Sequence, residues 1–317
     1  MELNKIYQGD CLELGYEIEP GSVDLILTDL PYGTMQGIAN GDTSWSRTNT
    51  EWDSAIPPSD IHAMANRVLR KNGKMVLFSQ EPYTSQLIND AIPNVPFSYR
   101  MIWEKEIYGN ALFSKKAPLI FFEDILVFSK RHDQEGLHPL RIYFKKVMNY
   151  IGVPKKEITK RIGQRADHCF RVNSTQFNLC TERTYNDLID VFSIDRMDGF
   201  KMFKELVLVD EQFSSTFNLW DGKKYKSNIL KYKKDYNGYH PTQKPLLLLE
   251  DLIKTFSNDG DLVVDLTCGS GSTCVAAQKT GRSFIGIEKE KEYVDIANER
   301  IKNHTTQTDI FDVLEGN

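Results

Sequence analysis

The stretch from Leu262 to Glu288 constrains this chain most. An apolar strand, Leu262–Leu266, runs into Thr267-Cys268-Gly269-Ser270-Gly271. A helical pattern follows to Lys279 and ends at Gly281, and a second strand, Ser283–Ile287, leads to Glu288. Strand, glycine turn, helix and strand within roughly thirty residues form a parallel βαβ unit. Glycines at 269 and 271 let the backbone pass close to a ligand at a helix N-terminus, which favours a carboxylate or phosphate. An ionised Glu288 only accepts hydrogen bonds, which suits a pair of ribose hydroxyls. A dinucleotide fingerprint requires a third glycine, but position 274 is Cys. A tight βα turn without a ligand is the plain alternative. The glutamate one strand later favours a ribose-bearing cofactor with an anionic end.

The rest of the chain extends this pattern. Asn4–Gly9, Val23–Thr28, Lys74–Ser79, Ser98–Glu104 and Glu123–Ser129 read as strands. A helix capped by Ser59 or Asp60 is predicted to end near Asn72-Gly73, and another covers Pro245–Phe256. A last helix carries Tyr293, Ile296, Ala297 and Ile301 on one face, and Thr305–Asn317 reads as a loose tail. The class is α/β. The longest apolar runs, Pro118–Phe122 and Leu246–Leu249, fall far short of the ~20 residues of a membrane span. The 5 cysteines are scattered and odd in number, with no CxxC pair, so neither a disulfide framework nor a zinc site is expected. No signal segment is visible at the N-terminus, and a cytoplasmic protein without a metal is the expectation.

The net charge of −5 is unevenly spread. Residues 1–128 carry a net −7, residues 129–245 a net +8 and residues 246–317 a net −6. A basic middle between acidic flanks suggests a polyanion-facing insert, against the plainer reading of a solvated lysine-rich surface. The expected division is 1–131 and 237–317 as two parts of one α/β domain, with 132–236 inserted. Lys155–Gly163 and Thr181–Ile189 within the insert have helix-turn-helix character, and Lys223–Lys234 reads as an exposed basic segment.

A second motif, Asp29-Leu30-Pro31-Tyr32, ends the buried strand Val23–Thr28, at the sheet edge where open α/β proteins bind ligands. The set suits a planar amine. Asp29 accepts from one N–H, the Leu30 carbonyl accepts from the other, and the Tyr32 ring stacks on the base. A strand-ending turn with a packing tyrosine is the alternative. The polar stretch Thr34–Ser54, with Trp45, Arg47 and Trp52, is long enough to act on a ligand. A third motif, Tyr239-His240-Pro241-Thr242-Gln243-Lys244-Pro245, precedes a helix.

Together these residues resemble the amino-methylating DNA methyltransferases of the permuted β type. In that family the Asp-Pro-Pro-Tyr motif comes first, a target-recognition region follows, and the S-adenosylmethionine motif comes last. This chain keeps that order, from Gly9-Asp10-Cys11 at the start to Phe284–Glu288 near the end. Leu30 replaces the first proline, and Asp265-Leu266-Thr267-Cys268 replaces the usual Asp-Pro-Phe.

The resemblance implies a seven-stranded, mainly parallel, circularly permuted methyltransferase sheet with a helical insert. It implies that Asp29, Leu30, Pro31 and Tyr32 hold the target amine. Asp265, Cys268, Gly269, Ser270 and Gly271 would line the methionine end of S-adenosylmethionine, with Thr242 and Lys244 near its carboxylate. Glu288 would take its ribose and Asp10 its adenine. Trp45, Arg47, Lys223, Lys224 and Lys226 are the expected DNA contacts. Double-stranded DNA is the implied substrate, within a restriction-modification setting, and a homodimer is compatible with it. Asp at position 29, rather than Ser, favours N6 of adenine over N4 of cytosine. An RNA or protein-amide methyltransferase is a remoter alternative. An NAD-dependent oxidoreductase would leave Asp29–Tyr32 unexplained, and a DNA-binding protein without activity would leave the cofactor motif unexplained.

Overall fold

The computed structural model describes residues 1–33, 54–109, 115–116, 118–131, 139–174, 176–212, 214–219, 222, 224–235 and 243–315. These form two compact units, one of Met1–Arg131 with Thr216–Asn317 and one of His132–Ser215.

In the first unit, β1 (Lys5–Gln8) leads to the short α1 (Cys11–Leu14), then β2 (Val23–Asp29), α2 (Pro58–Val68), β3 (Leu69–Ser79), α3 (Tyr83–Asn89), β4 (Phe97–Gly109) and β5 (Ile120–Ser129). The second unit carries α4 (Pro139–Ile151), α5 (Lys155–Ile162), α6 (Glu182–Phe192) and α7 (Phe203–Gln212). The chain re-enters the first unit through β6 (Ile229–Lys231), α8 (Leu246–Phe256), β7 (Leu262–Asp265), α9 (Ser272–Lys279), β8 (Ser283–Glu288) and α10 (Lys291–Glu315).

The strands form one sheet in the order β1-β8-β7-β2-β3-β5-β4-β6. Only the pairings of β5, with β3 and with β4, are antiparallel. The sheet has eight described strands, not the seven expected, because Ile229–Lys231 pairs in parallel with Ile102–Glu104 at the edge. That pairing also draws residues 216–235 into the first unit, so the second unit ends at Ser215, short of residue 236. Apolar side chains on both faces explain the continuous burial of β2: Val23 and Ile26 pack on one side, Leu25 and Leu27 on the other. The second unit has its own core of Leu140, Phe144, Val147, Ile158, Tyr185, Leu188 and Leu206.

Three local expectations change. The helix expected to reach Asn72-Gly73 ends at Val68, and β3 starts at Leu69. Asn72 takes a positive φ of 63° there, and a Cβ on Gly73 would lie 3.1 Å from the Asp24 and Val23 carbonyl oxygens, so the chain crosses β2 too closely for a helix. A long irregular connection with short 3-10 turns separates α5 from α6, unlike the three- or four-residue turn of a helix-turn-helix. Finally, α10 runs to Glu315, since neither glycine nor proline interrupts 291–315.

The sheet reverses direction of winding between β7 and β2, which pair through Leu25↔Val263 and Ile26↔Val264. This is the topological switch point, where α/β sheets open a crevice beyond their strand ends. Asp265 ends β7 and Asp29 ends β2 at that point.

Candidate active site

A cavity of about 740 Å³ opens at the switch point, within the size range of ligand sites. Its lining joins Asp10, Glu288 and Gly269–Ser270 at one region to Asp29, Leu30, Pro31 and Tyr32 at another, with Glu123, Gln243, Lys244 and Asp265 also present. The two motifs that are 236 positions apart in the chain (Asp29 and Asp265) therefore meet in one cavity.

The glycine loop is held from both sides. Glu288 Oε2 accepts from the Gly269 N–H at 2.8 Å, and its Oε1 accepts from the Glu290 N–H at 2.9 Å. Burial pushes the Glu288 carboxyl above its ordinary pKa, opposed by these backbone donors. Gly271 takes a left-handed φ of 79° as the N-cap of α9. A Cβ there would lie 2.8 Å from the Ala297 Cβ on α10, so helix packing by itself requires a glycine here, and Gly269, Ser270 and Ser272 on either side of it line the cavity. Arg300, also on α10, donates to the Ser270 carbonyl at 2.5 Å, to Ser270 Oγ at 2.9 Å and to Ser272 Oγ at 3.1 Å. Cys268 is buried, and with Cys274 it packs beside Gly286, where a Cβ would approach both sulfurs. At the far end Asp10 caps α1, accepting from the Leu12 N–H at 2.9 Å.

Asp265 is buried, and burial pushes its pKa up to about 6 against hydrogen bonds from Thr273, Thr28 and the Thr267 N–H. An aspartate whose folded pKa exceeds its unfolded value binds protons more tightly when folded, so ionising it costs stability. An Asn amide nitrogen would face those same donors at a pH-independent cost, so the expectation is a gain in the melting temperature of Asp265→Asn relative to wild type as pH rises from 4 to 7–8. The gain should shrink as pH falls through 6 and vanish near 4, as followed by thermal melts across that range. A difference between variant and wild type that stays the same down to pH 4 would mean that ionisation is not its source.

The Asp29 region is more densely wired than its sequence indicates. Tyr32 OH donates to Asp29 Oδ1, and Lys244 Nζ pairs with Asp29 Oδ2. Thr267 Oγ1 donates to the Asp29 carbonyl at 3.0 Å, linking the two motifs directly. Leu30 sends a fully buried side chain into the core, so packing holds the turn that a first proline would otherwise stiffen. Tyr32 and Tyr83 place their ring centroids 6.0 Å apart, tilted by 37°.

Lys244 corrects an expectation. Its ammonium is buried between Asp29 and Glu123, with Glu123 Oε2 at 3.2 Å, so its charge is paired within the protein while the residue still lines the cavity. Burial pulls the Lys244 pKa down, but the two carboxylates outweigh it and hold the lysine above its ordinary value. Lys226 is corrected as well. It reaches both carboxylate oxygens of Asp251 at 2.6 Å in a largely buried pair, which anchors the basic segment to α8 and leaves no ammonium for a phosphate. Lys224 is exposed. Trp45, Arg47, Lys223 and Thr242 lie outside the described residues.

Sequence reasoning missed Glu123, Lys105, Gln243 and Arg300. Glu123 carries a readable signal, since a carboxylate inside the apolar strand Ile120–Ser129 needs a partner. Gln243 is 6% exposed and lines the cavity, yet neither its Nε2 nor its Oε1 has a partner among the described residues. A buried amide left in this state is ready to take a ligand's donor and acceptor.

The DNA methylase family profile matches residues 23–299. The type II methyltransferase M2.LlaDCHI of Lactococcus lactis subsp. cremoris is 41% identical over 303 residues, covering 95% of this chain and 90% of that one. The DNA adenine methyltransferase YhdJ of Escherichia coli (strain K12) is 27% identical over 304 residues, covering 95% and 83%. A shorter match of 86 residues, 44% identical, covers 26% of this chain and 32% of the type II methyltransferase M2.DpnII of Streptococcus pneumoniae. Among solved structures, the PvuII cytosine-N4-specific DNA methyltransferase superposes with a TM-score of 0.52 at 16% identity, covering 98% of this chain and 93% of that one. This last likeness concerns the fold. With the profile spanning most of the sequence and one relative similar along nearly all of it, this chain belongs to the DNA methylase family of amino methyltransferases.

Proposed function

We propose that this protein transfers a methyl group from S-adenosylmethionine to N6 of an adenine flipped out of duplex DNA. The observation that carries the reading is the shared cavity, in which Asp29–Tyr32 and the Asp265–Glu288 region face one space. The donor set fits the cofactor: Glu288 keeps lone pairs for ribose hydroxyls, Asp10 lines the far end, and the Gln243 amide offers an unused donor and acceptor. S-adenosylmethionine, when bound, supplies an electrophilic methyl group.

The chain's own residues do the rest. An exocyclic amine is a poor nucleophile because its lone pair is delocalised into the ring. Asp29 and the Leu30 carbonyl each accept one N–H and draw the nitrogen towards tetrahedral geometry. Asp29 then faces the positive charge that develops there. Tyr32 stacks on the extruded base and offsets part of its unstacking cost. Asp at position 29 supports adenine, as does the name of the YhdJ relative.

DNA contacts are assigned to the basic segment and the helical unit. Residues 132–215 carry a net charge of only +1, whereas 216–245 carry +5; with Lys226 and Lys244 held in buried ion pairs, the remaining lysines of 223–234 are the proposed phosphate contacts. Lys224 is one such contact, and Lys223, Trp45 and Arg47 complete the proposed set. The helical unit His132–Ser215 would read the target sequence.

The test is chemical. Unmethylated DNA is incubated with the protein and S-adenosylmethionine, digested to nucleosides and separated by mass-resolved chromatography. N6-methyldeoxyadenosine is the expected product. N4-methyldeoxycytidine alone would overturn the base assignment, and no methylated nucleoside from DNA of any sequence would overturn the function.

A further inference from the structure

We propose that Glu123 is a positioning residue for the target amine, drawing Lys244 partly away from Asp29 so that Asp29 stays a strong hydrogen-bond acceptor. The proposal rests on the amine-holding role of Asp29 given above.

Both Asp29 oxygens are already engaged, Oδ1 by the Tyr32 hydroxyl and Oδ2 by Lys244. A carboxylate has about four lone-pair sites, so room for an amine N–H remains. A full ion pair with a buried ammonium would nevertheless weaken it as an acceptor. Glu123 competes for that ammonium from the other side, while Lys244 Nζ lies nearer to Asp29 than to Glu123. Its side chain is 9% exposed, and Oε2 stands 3.2 Å from Lys244 Nζ without a directed hydrogen bond. With Lys105 paired to Glu123 Oε1, the chain Asp29, Lys244, Glu123 and Lys105 alternates in sign and sums to zero, and its negative end, Asp29, lies beside the place where a nitrogen would turn positive. In a low-dielectric site that arrangement favours the developing charge.

The sheet explains how Glu123 is held. It lies opposite Trp103 in the β4–β5 register, and Lys105, two residues along β4, pairs with its Oε1. Lys105 closes the outer end of the chain of charges with a side chain 16% exposed. The titratable and charged groups around Asp29 are Tyr32 from its own turn, Lys244 from the segment ahead of α8, Glu123 from β5 and Asp265 from β7. Tyr83 of α3 faces Tyr32, while Lys105 and Lys234 act on Glu123 and Lys244. Burial raises the Asp29 pKa, Lys244 lowers it and Glu123 raises it. Removing the Glu123 charge must then strengthen the Asp29–Lys244 pair, and removing the Lys105 charge must do the opposite.

The experiment compares pH profiles of kcat for the full-length protein and three variants. Glu123→Gln should lower kcat roughly tenfold with an unchanged KM for S-adenosylmethionine. Its acid limb should move down by about one pH unit. Glu123→Asp, which keeps the charge, should restore the limb. Lys105→Met, changed at the more exposed end, should move the limb up. In parallel, ¹³C-carboxyl NMR of aspartate-labelled protein, assigned with Asp29→Asn, reads the Asp29 titration without turnover. Opposite shifts for Glu123→Gln and Lys105→Met support the proposal. Shifts in one direction, or none in either readout, overturn it. If the wild type methylates no DNA, the proposed function falls, and the NMR titration still decides whether Glu123 governs Asp29.

Discussion

Asp29→Asn is expected to lower kcat by about 10³-fold while S-adenosylmethionine binding stays within about threefold of wild type. The substitution is nearly isosteric, and the turn around it has independent supports: the buried Leu30 side chain and the Thr267 bond to the Asp29 carbonyl. What changes is charge. An amide oxygen is a weaker acceptor than a carboxylate, and it no longer balances the positive charge growing on the amine nitrogen. Lys244 retains Glu123 as a counter-charge, so the variant is not left with a bare buried ammonium. The cofactor region depends on β7 and β8 rather than on β2, which is why binding should survive. Single-turnover methylation and calorimetry separate the two effects. Activity within tenfold of wild type would make Asp29 an anchor for Lys244 and remove it from the chemistry.

The parts of this site that were legible in the sequence are those whose chemistry is local. Asp29–Tyr32 and Thr267–Gly271 each follow a buried strand, and their backbone neighbours determine their placement. The α/β alternation and the motif order followed from the same short-range signals. What was not legible depends on pairing across the sheet. Lys244 sits beside Thr242 in a motif that resembles a cofactor-binding segment, yet the fold turns it towards Asp29 and Glu123, residues 215 and 121 positions away. Lys226 looked like one of a run of surface lysines, because nothing near it in sequence reveals that Asp251 on α8 is its partner. Gly271 shows the same limit for packing. Its positive φ was readable as a turn, whereas its contact with Ala297 required the position of α10. The additional edge strand, β6, is three residues long, too short for alternation to mark it.

Glu288→Ala is expected to raise the Kd for S-adenosylmethionine by about 10²-fold or more. The residue has two duties, and alanine ends both. It ties the glycine loop to the end of β8 through the Gly269 N–H, and it fixes the following turn through the Glu290 N–H. Without the carboxylate those donors lose their partner, and the loop that faces the cofactor is no longer held. The proposed acceptors for the ribose hydroxyls are lost at the same time. Glu288→Gln separates the duties, since its single oxygen can serve one donor while its amide nitrogen repels the other. An intermediate loss of roughly tenfold is expected for it. The wild-type pH dependence gives an independent check. Burial raises the Glu288 pKa, so its acceptor form is lost at a higher pH than for an ordinary glutamate. As pH is lowered, cofactor affinity should therefore begin to fall while the pH is still above 4.5, the ordinary glutamate value, and Glu288→Gln should flatten that part of the profile. Calorimetry measures both, and thermal melts at the same pH separate loss of binding from loss of fold. Unchanged affinity in a folded Glu288→Ala variant would show that the β8 carboxylate belongs to the loop alone, and the ribose would then have to be held by another part of the cavity.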